Sequence, residues 1–134
     1  MKRDLKDLKL IVCHLGSGAS VTAIKDGKSF DTSMGFSPVA GITMSTRSGD
    51  VDPSLLQFIM KKGNITSFNE VIKMLNTESG LLGLSGISPD MRDIEKAIKN
   101  GDKQAQLTKD IFINRIVRYI GSFIAEKGEL TSLY

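Results

Sequence analysis

Tryptophan is absent, and histidine and cysteine occur once each among 134 residues. One thiol forms no internal disulfide, which excludes a disulfide-stapled secreted scaffold and makes a reducing, cytoplasmic setting the expectation. One histidine and one cysteine are also too few soft ligands for an ordinary zinc or copper site. Long apolar runs are missing. The apolar stretch near the start is only Leu10 to Cys13, against ~20 residues for a membrane span. Met1-Lys2-Arg3-Asp4 has none of the apolar segment of a signal peptide. A charge excess of one sign is missing too. Eighteen Lys+Arg face fifteen Asp+Glu, for a net +3, and they interleave, as in Lys6-Asp7 and Arg92-Asp93. The six phenylalanines and two tyrosines do not alternate with basic clusters, so neither a nucleic acid nor a membrane is an expected partner. What remains, 40% hydrophobic and 25% charged residues, is the composition of one soluble globular domain.

The chain divides into two unlike parts. Residues 8–50 are rich in glycine, serine and threonine between short apolar runs. Leu8 to Cys13 reads as a strand, and its continuous apolar residues suggest burial on both faces. Ser20 to Lys25 and Lys28 to Ser33 read as two more strands, joined by Asp26-Gly27, a pair suited to a type I′ turn. From residue 52 the pattern becomes helical. Asp52-Pro53 is an N-cap followed by proline at the first helical position, opening a helix to about Lys62. Ser67 and Glu70 have the spacing of a capping box, and Phe68, Val71, Ile72 and Leu75 fall on one helical face. Ser88-Pro89 opens a third helix, and an apolar stripe from Ala105 to Ile124 marks a long fourth one, about Lys103 to Lys127. Between the second and third, the glycines of Ser79 to Gly86 lie among apolar residues and predict tight packing. The fold class is α/β: a strand, a glycine turn and a β-hairpin, followed by four helices, with too few strands to complete a sheet.

Chemistry concentrates in two loops. His14-Leu15-Gly16-Ser17-Gly18-Ala19-Ser20 stands between the first two strands. Its glycines let backbone N–H groups approach an anion, and its serines add hydroxyl donors. It is neither a P-loop nor a dinucleotide fingerprint, because no Gly-Lys-Ser/Thr follows and no helix follows. Alone it also reads as an ordinary structural turn. The second loop, Met44-Ser45-Thr46-Arg47-Ser48-Gly49-Asp50, sets one arginine among hydroxyls and glycine just before a helix. A guanidinium offers a planar fork of donors that fits phosphoryl and carboxylate oxygens; locally, a surface arginine paired with Asp50 is an equal reading. Cys13 and His14 are neighbours on a strand and point to opposite faces, so they form no Cys/His catalytic pair.

Taken together, four segments resemble the acetate kinase family of the actin-like sugar-kinase superfamily. Val12 to Ala23 is similar to its His-x-Gly-x-Gly-x-Ser signature, and Asp31-Thr32-Ser33-Met34-Gly35-Phe36-Ser37-Pro38 to a second segment. Thr46-Arg47-Ser48-Gly49 with Asp52-Pro53 resembles a third, and Ser85-Gly86-Ile87-Ser88 with Asp90-Met91-Arg92-Asp93 a fourth. Ser17 and Ser45 stand where many members carry asparagine and glycine.

The resemblance implies a partial ribonuclease-H-like, actin-like ATPase domain over residues 1–134, with strands in 8–33 and helices in 53–127. It implies that His14, Leu15, Gly16, Ser17 and Gly18 cradle ATP phosphates. Arg47 would be the catalytic transition-state stabiliser, and Asp90, Met91 and Arg92 would serve the adenosine side. The implied reaction converts ATP and acetate into ADP and acetyl phosphate with Mg²⁺, whose ligands are expected outside this chain. Family members are far longer, so the chain corresponds to a central piece without the N-terminal domain and the C-terminal nucleotide-closing segment. The pattern is followed from about Leu5 to Gly128. The piece alone is expected to be inactive, and homodimers are the rule in full-length relatives. The alternatives are a non-catalytic nucleotide-binding remnant or one part of a split propionate-type kinase.

Overall fold

The computed structural model describes residues 4–127 and 132–133. After a 3-10 turn at Leu5–Asp7, β1 (Lys9–Leu15), β2 (Ala19–Lys25) and β3 (Lys28–Thr32) form an antiparallel meander. A two-residue strand, β4 (Ser132–Leu133), lies parallel to β1, giving the order β3-β2-β1-β4. The β2–β3 turn has φ of 53° at Asp26 and 72° at Gly27, the left-handed pair that a type I′ hairpin requires. Beyond that turn the register skips Phe30, which opposes no β2 residue and stands out as an exposed bulge. Ser33 prolongs the pairing: its N–H donates to the Val21 carbonyl at 2.8 Å, and its Oγ accepts from the Val21 N–H at 3.0 Å.

Among the described residues five α-helices follow: α1 (Pro53–Gly63), α2 (Phe68–Thr77), α3 (Gly80–Ser85), α4 (Met91–Lys99) and α5 (Lys103–Lys127). The sequence reading places four; the fifth, α3, is the tightly packed glycine segment. Asp52 caps α1, accepting from the Ser54 N–H at 2.8 Å. Ser67 precedes α2 but makes no side-chain cap bond, so the capping box is not formed. Only Val71 and Leu75 of the α2 stripe are buried, while Phe68 and Ile72 remain exposed. The cap of α4 is Asp90 rather than Ser88, and Asp102 caps α5 by accepting from Gln104 and Ala105.

α5 joins two cores. Its C-terminal half, through Phe123, Tyr119 and Ile116, covers the sheet face formed by Ile11, Cys13, Ala19, Val21 and Ala23, with Ile42 and Met44 completing that cluster. Its N-terminal half packs Ala105 and Phe112 against Leu81 of α3 and Ile94 of α4. Leu10 and Val12 point to the opposite sheet face and are half-buried, as is Cys13, so Ile11 is the one fully buried residue of the apolar run, which suggested burial on both faces. Of the tail after Gly128, where the family pattern is no longer clear from the sequence, residues 129–131 and 134 lie outside the described residues.

Candidate functional site

Leu15 pairs with Ala19 in the β1–β2 ladder, which leaves Gly16, Ser17 and Gly18 as a three-residue turn at one end of the sheet. Small residues are needed here for space. A β-carbon at Gly16 would stand 3.1 Å from Nε2 of His14, and one at Gly18 would stand 3.2 Å from Nη1 of Arg47. The imidazole and the guanidinium therefore lie directly on the turn.

Arg47 reaches Gly18 because its loop is held by backbone hydrogen bonds along its length. The Met44 N–H donates to the Arg47 carbonyl at 3.1 Å, closing a tight turn. The Ser45 N–H donates to the Ser17 carbonyl at 3.2 Å, tying this loop to the glycine turn. At the start of α3, the N–H groups of Ser79, Leu81 and Leu82 donate to the carbonyls of Thr46, Met44 and Ser45 at 2.9, 2.8 and 3.0 Å. The first turn of a helix has spare donors, and α3 spends them on this loop. Gly80 makes the approach possible: its φ is +62°, and a β-carbon there would overlap the Met44 carbonyl oxygen. Arg47 itself makes two weak hydrogen bonds among the described residues, to the Pro38 carbonyl at 3.4 Å and to Sδ of Met44 at 3.5 Å. It forms no ion pair with Asp50, whose carboxylate is occupied by the Gly41 N–H at 2.8 Å and the Tyr119 hydroxyl at 2.5 Å. The surface-pair reading is thereby overturned.

The two loops and the start of α4 enclose a cavity of about 730 Å³. Leu15, Gly16, Ser17, Gly18, Arg47, Asp90 and Met91 line it, and so bring together seven of the nine residues named from sequence. His14 is exposed beside Gly16 and is not part of the lining. Arg92 is also outside. Its guanidinium folds back on the Asp90 carboxylate, with Nε at 3.0 and 3.1 Å from the two oxygens and Nη2 at 2.5 Å. Those side-chain bonds, with the Arg92 backbone N–H next, hold the Asp90 carboxyl down to about 2. Ser45 and Thr46, the hydroxyl residues noted beside Arg47 in its loop, also line the cavity, whereas sequence reasoning gave no role at the site to Leu81, Pro89 and Phe112. Leu81 and Phe112, from the cluster that packs α3 and α4 on α5, add apolar surface to the lining.

Residues 1–133 match the Acetokinase family. The chain belongs to that family. It is 61% identical over 126 residues to the acetate kinase of Limosilactobacillus fermentum, a match covering 94% of the chain and 31% of that protein. Among solved structures, the acetate kinase of Porphyromonas gingivalis superposes with a TM-score of 0.93 at 43% identity, over 97% of this chain and 32% of that one. A propionate kinase from Francisella tularensis gives a TM-score of 0.88 at 42% identity, over 94% and 32%. The chain thus spans about a third of the length of the curated relatives it matches. Its fold is correspondingly part of the actin-like ATPase fold of acetate kinases.

Among the described residues, no group of three or more His, Cys, Asp or Glu side chains could hold a metal ion.

Proposed function

We propose that this chain is the nucleotide-binding piece of an acetate kinase, the central part of a domain that transfers the γ-phosphoryl group of ATP to acetate. The carrying observation is the Arg47 guanidinium lying over Gly18 at the wall of the cavity, beside the hydroxyl residues Ser17, Ser45 and Thr46, with Asp90 at the start of α4 the other charged residue of the lining. ATP phosphates would lie along Leu15, Gly16, Ser17 and Gly18, within reach of His14 from the rim. The adenosine would extend toward Asp90, Met91 and Arg92, against Leu81 and Phe112. In the reaction an acetate oxygen bonds to the γ-phosphorus while its bond to the bridging oxygen breaks, releasing acetyl phosphate and ADP. Phosphoryl transfer of this kind needs positioning and positive charge more than a protein nucleophile. Arg47 supplies that charge where it develops. Mg²⁺ would arrive with the nucleotide and screen its phosphates. The setting is the cytoplasm, and the whole enzyme works as a homodimer.

Several charges must be placed together for the transfer step, and this piece carries one of them at the turn. The isolated chain accordingly binds nucleotide and has little or no activity. A propionate-directed enzyme is the second reading, since a propionate kinase also superposes on the chain, at 42% identity.

Calorimetry with MgATP on the purified chain tests the site. Saturable binding that weakens at least about tenfold in Arg47→Ala, with an unchanged circular dichroism spectrum, is the expected result for a lost charge-assisted contact. A folded chain that takes up no MgATP overturns the reading.

A further inference from the structure

Arg47 is held lightly by its own side-chain partners, so its position must come from the segment that carries it. That segment, residues 41–50, is closed at its base by two hydrogen bonds between its ends. The Asp50 N–H donates to the Gly41 carbonyl at 2.9 Å, and the Gly41 N–H donates to Oδ1 of Asp50 at 2.8 Å. Asp50 also anchors this base to α5. Its Oδ2 accepts from the Tyr119 hydroxyl at 2.5 Å, and its backbone carbonyl accepts from Nη2 of Arg115 at 3.2 Å. Tyr119 is a fixed anchor, packed edge-on against the buried Phe123 with ring centroids 5.9 Å apart. Those two residues belong to the part of α5 that covers the sheet bearing Gly16 to Gly18. Loop base and glycine turn are therefore referenced to one core, by routes that meet at Tyr119.

We propose that Asp50 and Tyr119 are positioning residues, which clamp the base of the Gly41–Asp50 segment to α5 and thereby set where the Arg47 guanidinium stands over the glycine turn. The proposal rests on the reading that Arg47 contacts phosphoryl oxygens, because it names what holds that contact in place. Asp50 makes no ion pair with Arg47; its carboxylate oxygens accept from the Gly41 N–H and the Tyr119 hydroxyl. The clamp acts through geometry: a guanidinium displaced by a fraction of a hydrogen-bond length loses its paired contact.

Tyr119→Phe tests the clamp with little risk to folding, because the ring and its contact with Phe123 remain. MgATP affinity is measured by calorimetry for the wild-type chain, Tyr119→Phe, Arg47→Ala and the double variant. Tyr119→Phe is expected to weaken binding about fivefold, the usual size of coupling through a packed network. In the Arg47→Ala background the same change should have no effect, because the group it positions is gone. Equal losses in both backgrounds mean a general structural contribution and overturn the proposal. If the wild-type chain binds no MgATP, the nucleotide reading fails and the clamp is judged on a second readout. The heteronuclear NOE of Arg47 Nε, assigned with Arg47→Lys, should fall in both Tyr119→Phe and Asp50→Asn; an unchanged NOE in both overturns it.

Discussion

The guanidinium of Arg47 occupies the space that a side chain on Gly18 would need, with Nη1 3.2 Å from the place of a β-carbon there. Two segments separated by almost thirty residues in sequence thus share one small volume. The strand ladder fixes one side, because Leu15 and Ala19 pair across the turn. The hydrogen bond from Ser45 to Ser17 and the donors at the start of α3 fix the other. The cavity is the result of both constraints, and neither loop forms it alone.

That contact makes Gly18→Ala a selective lesion. Gly18 does not have a left-handed φ, so alanine is conformationally acceptable and removes unfolded-state freedom, a gain of ~0.4–1 kcal/mol. The neighbour that must yield is the end of a flexible side chain, not backbone. Thermal stability should therefore hold or rise slightly while MgATP binding falls about tenfold through displacement of Arg47. Unchanged affinity in Gly18→Ala, measured by calorimetry, would show that the guanidinium does not act from this position.

Local chemistry was legible in the sequence, and contacts between distant segments were not. Asp26-Gly27 and Asp52-Pro53 specify their turn and cap through their own backbone demands, and both form. The helix from Lys103 to Lys127 follows from its apolar stripe. Ser67 and Glu70 had the spacing of a capping box, yet spacing does not guarantee the bond, and Ser67 makes none with its side chain. The glycine turn and Arg47 could be named from their residue types. Nothing local said that Leu81 and Phe112 would close the cavity, because that depends on how α3 and α4 pack against α5. The three glycines of Ser79 to Gly86 were the available signal, and they pointed to close packing without saying against what.

Gly80→Ala probes that packing, and Gly86→Ala calibrates it. Both glycines have left-handed φ, +62° and +66°, so alanine carries a conformational cost of ~1–3 kcal/mol at either. The surroundings differ. A β-carbon at Gly86 meets nothing within 4 Å, whereas one at Gly80 overlaps the Met44 carbonyl and stands 2.8 Å from that of Arg47. Urea denaturation should find Gly86→Ala destabilised by about 1 kcal/mol and Gly80→Ala by distinctly more. Equal losses at the two positions would mean that the Arg47 loop does not press on the start of α3.

Alkaline titration reports on the clamp at Tyr119. Its phenol is pushed up to about 12, first by burial, then by the hydrogen bond to the Asp50 carboxylate and by that group's charge. The charge of Asp31 adds to the shift, and Arg115 opposes it. An unfolded tyrosine ionises near ~10, so the folded state favours the neutral phenol. The sign follows from that difference: the contribution is present in full below about 10 and is lost as pH rises through about 12. Near-ultraviolet absorbance of tyrosinate, taken as the difference between the wild-type chain and Tyr119→Phe, isolates this group. Asp50→Asn removes the charge and leaves the burial, so its midpoint should drop without reaching the ordinary value. A wild-type midpoint already near ~10 would mean a phenol in water, with no clamp between α5 and the segment that carries Arg47.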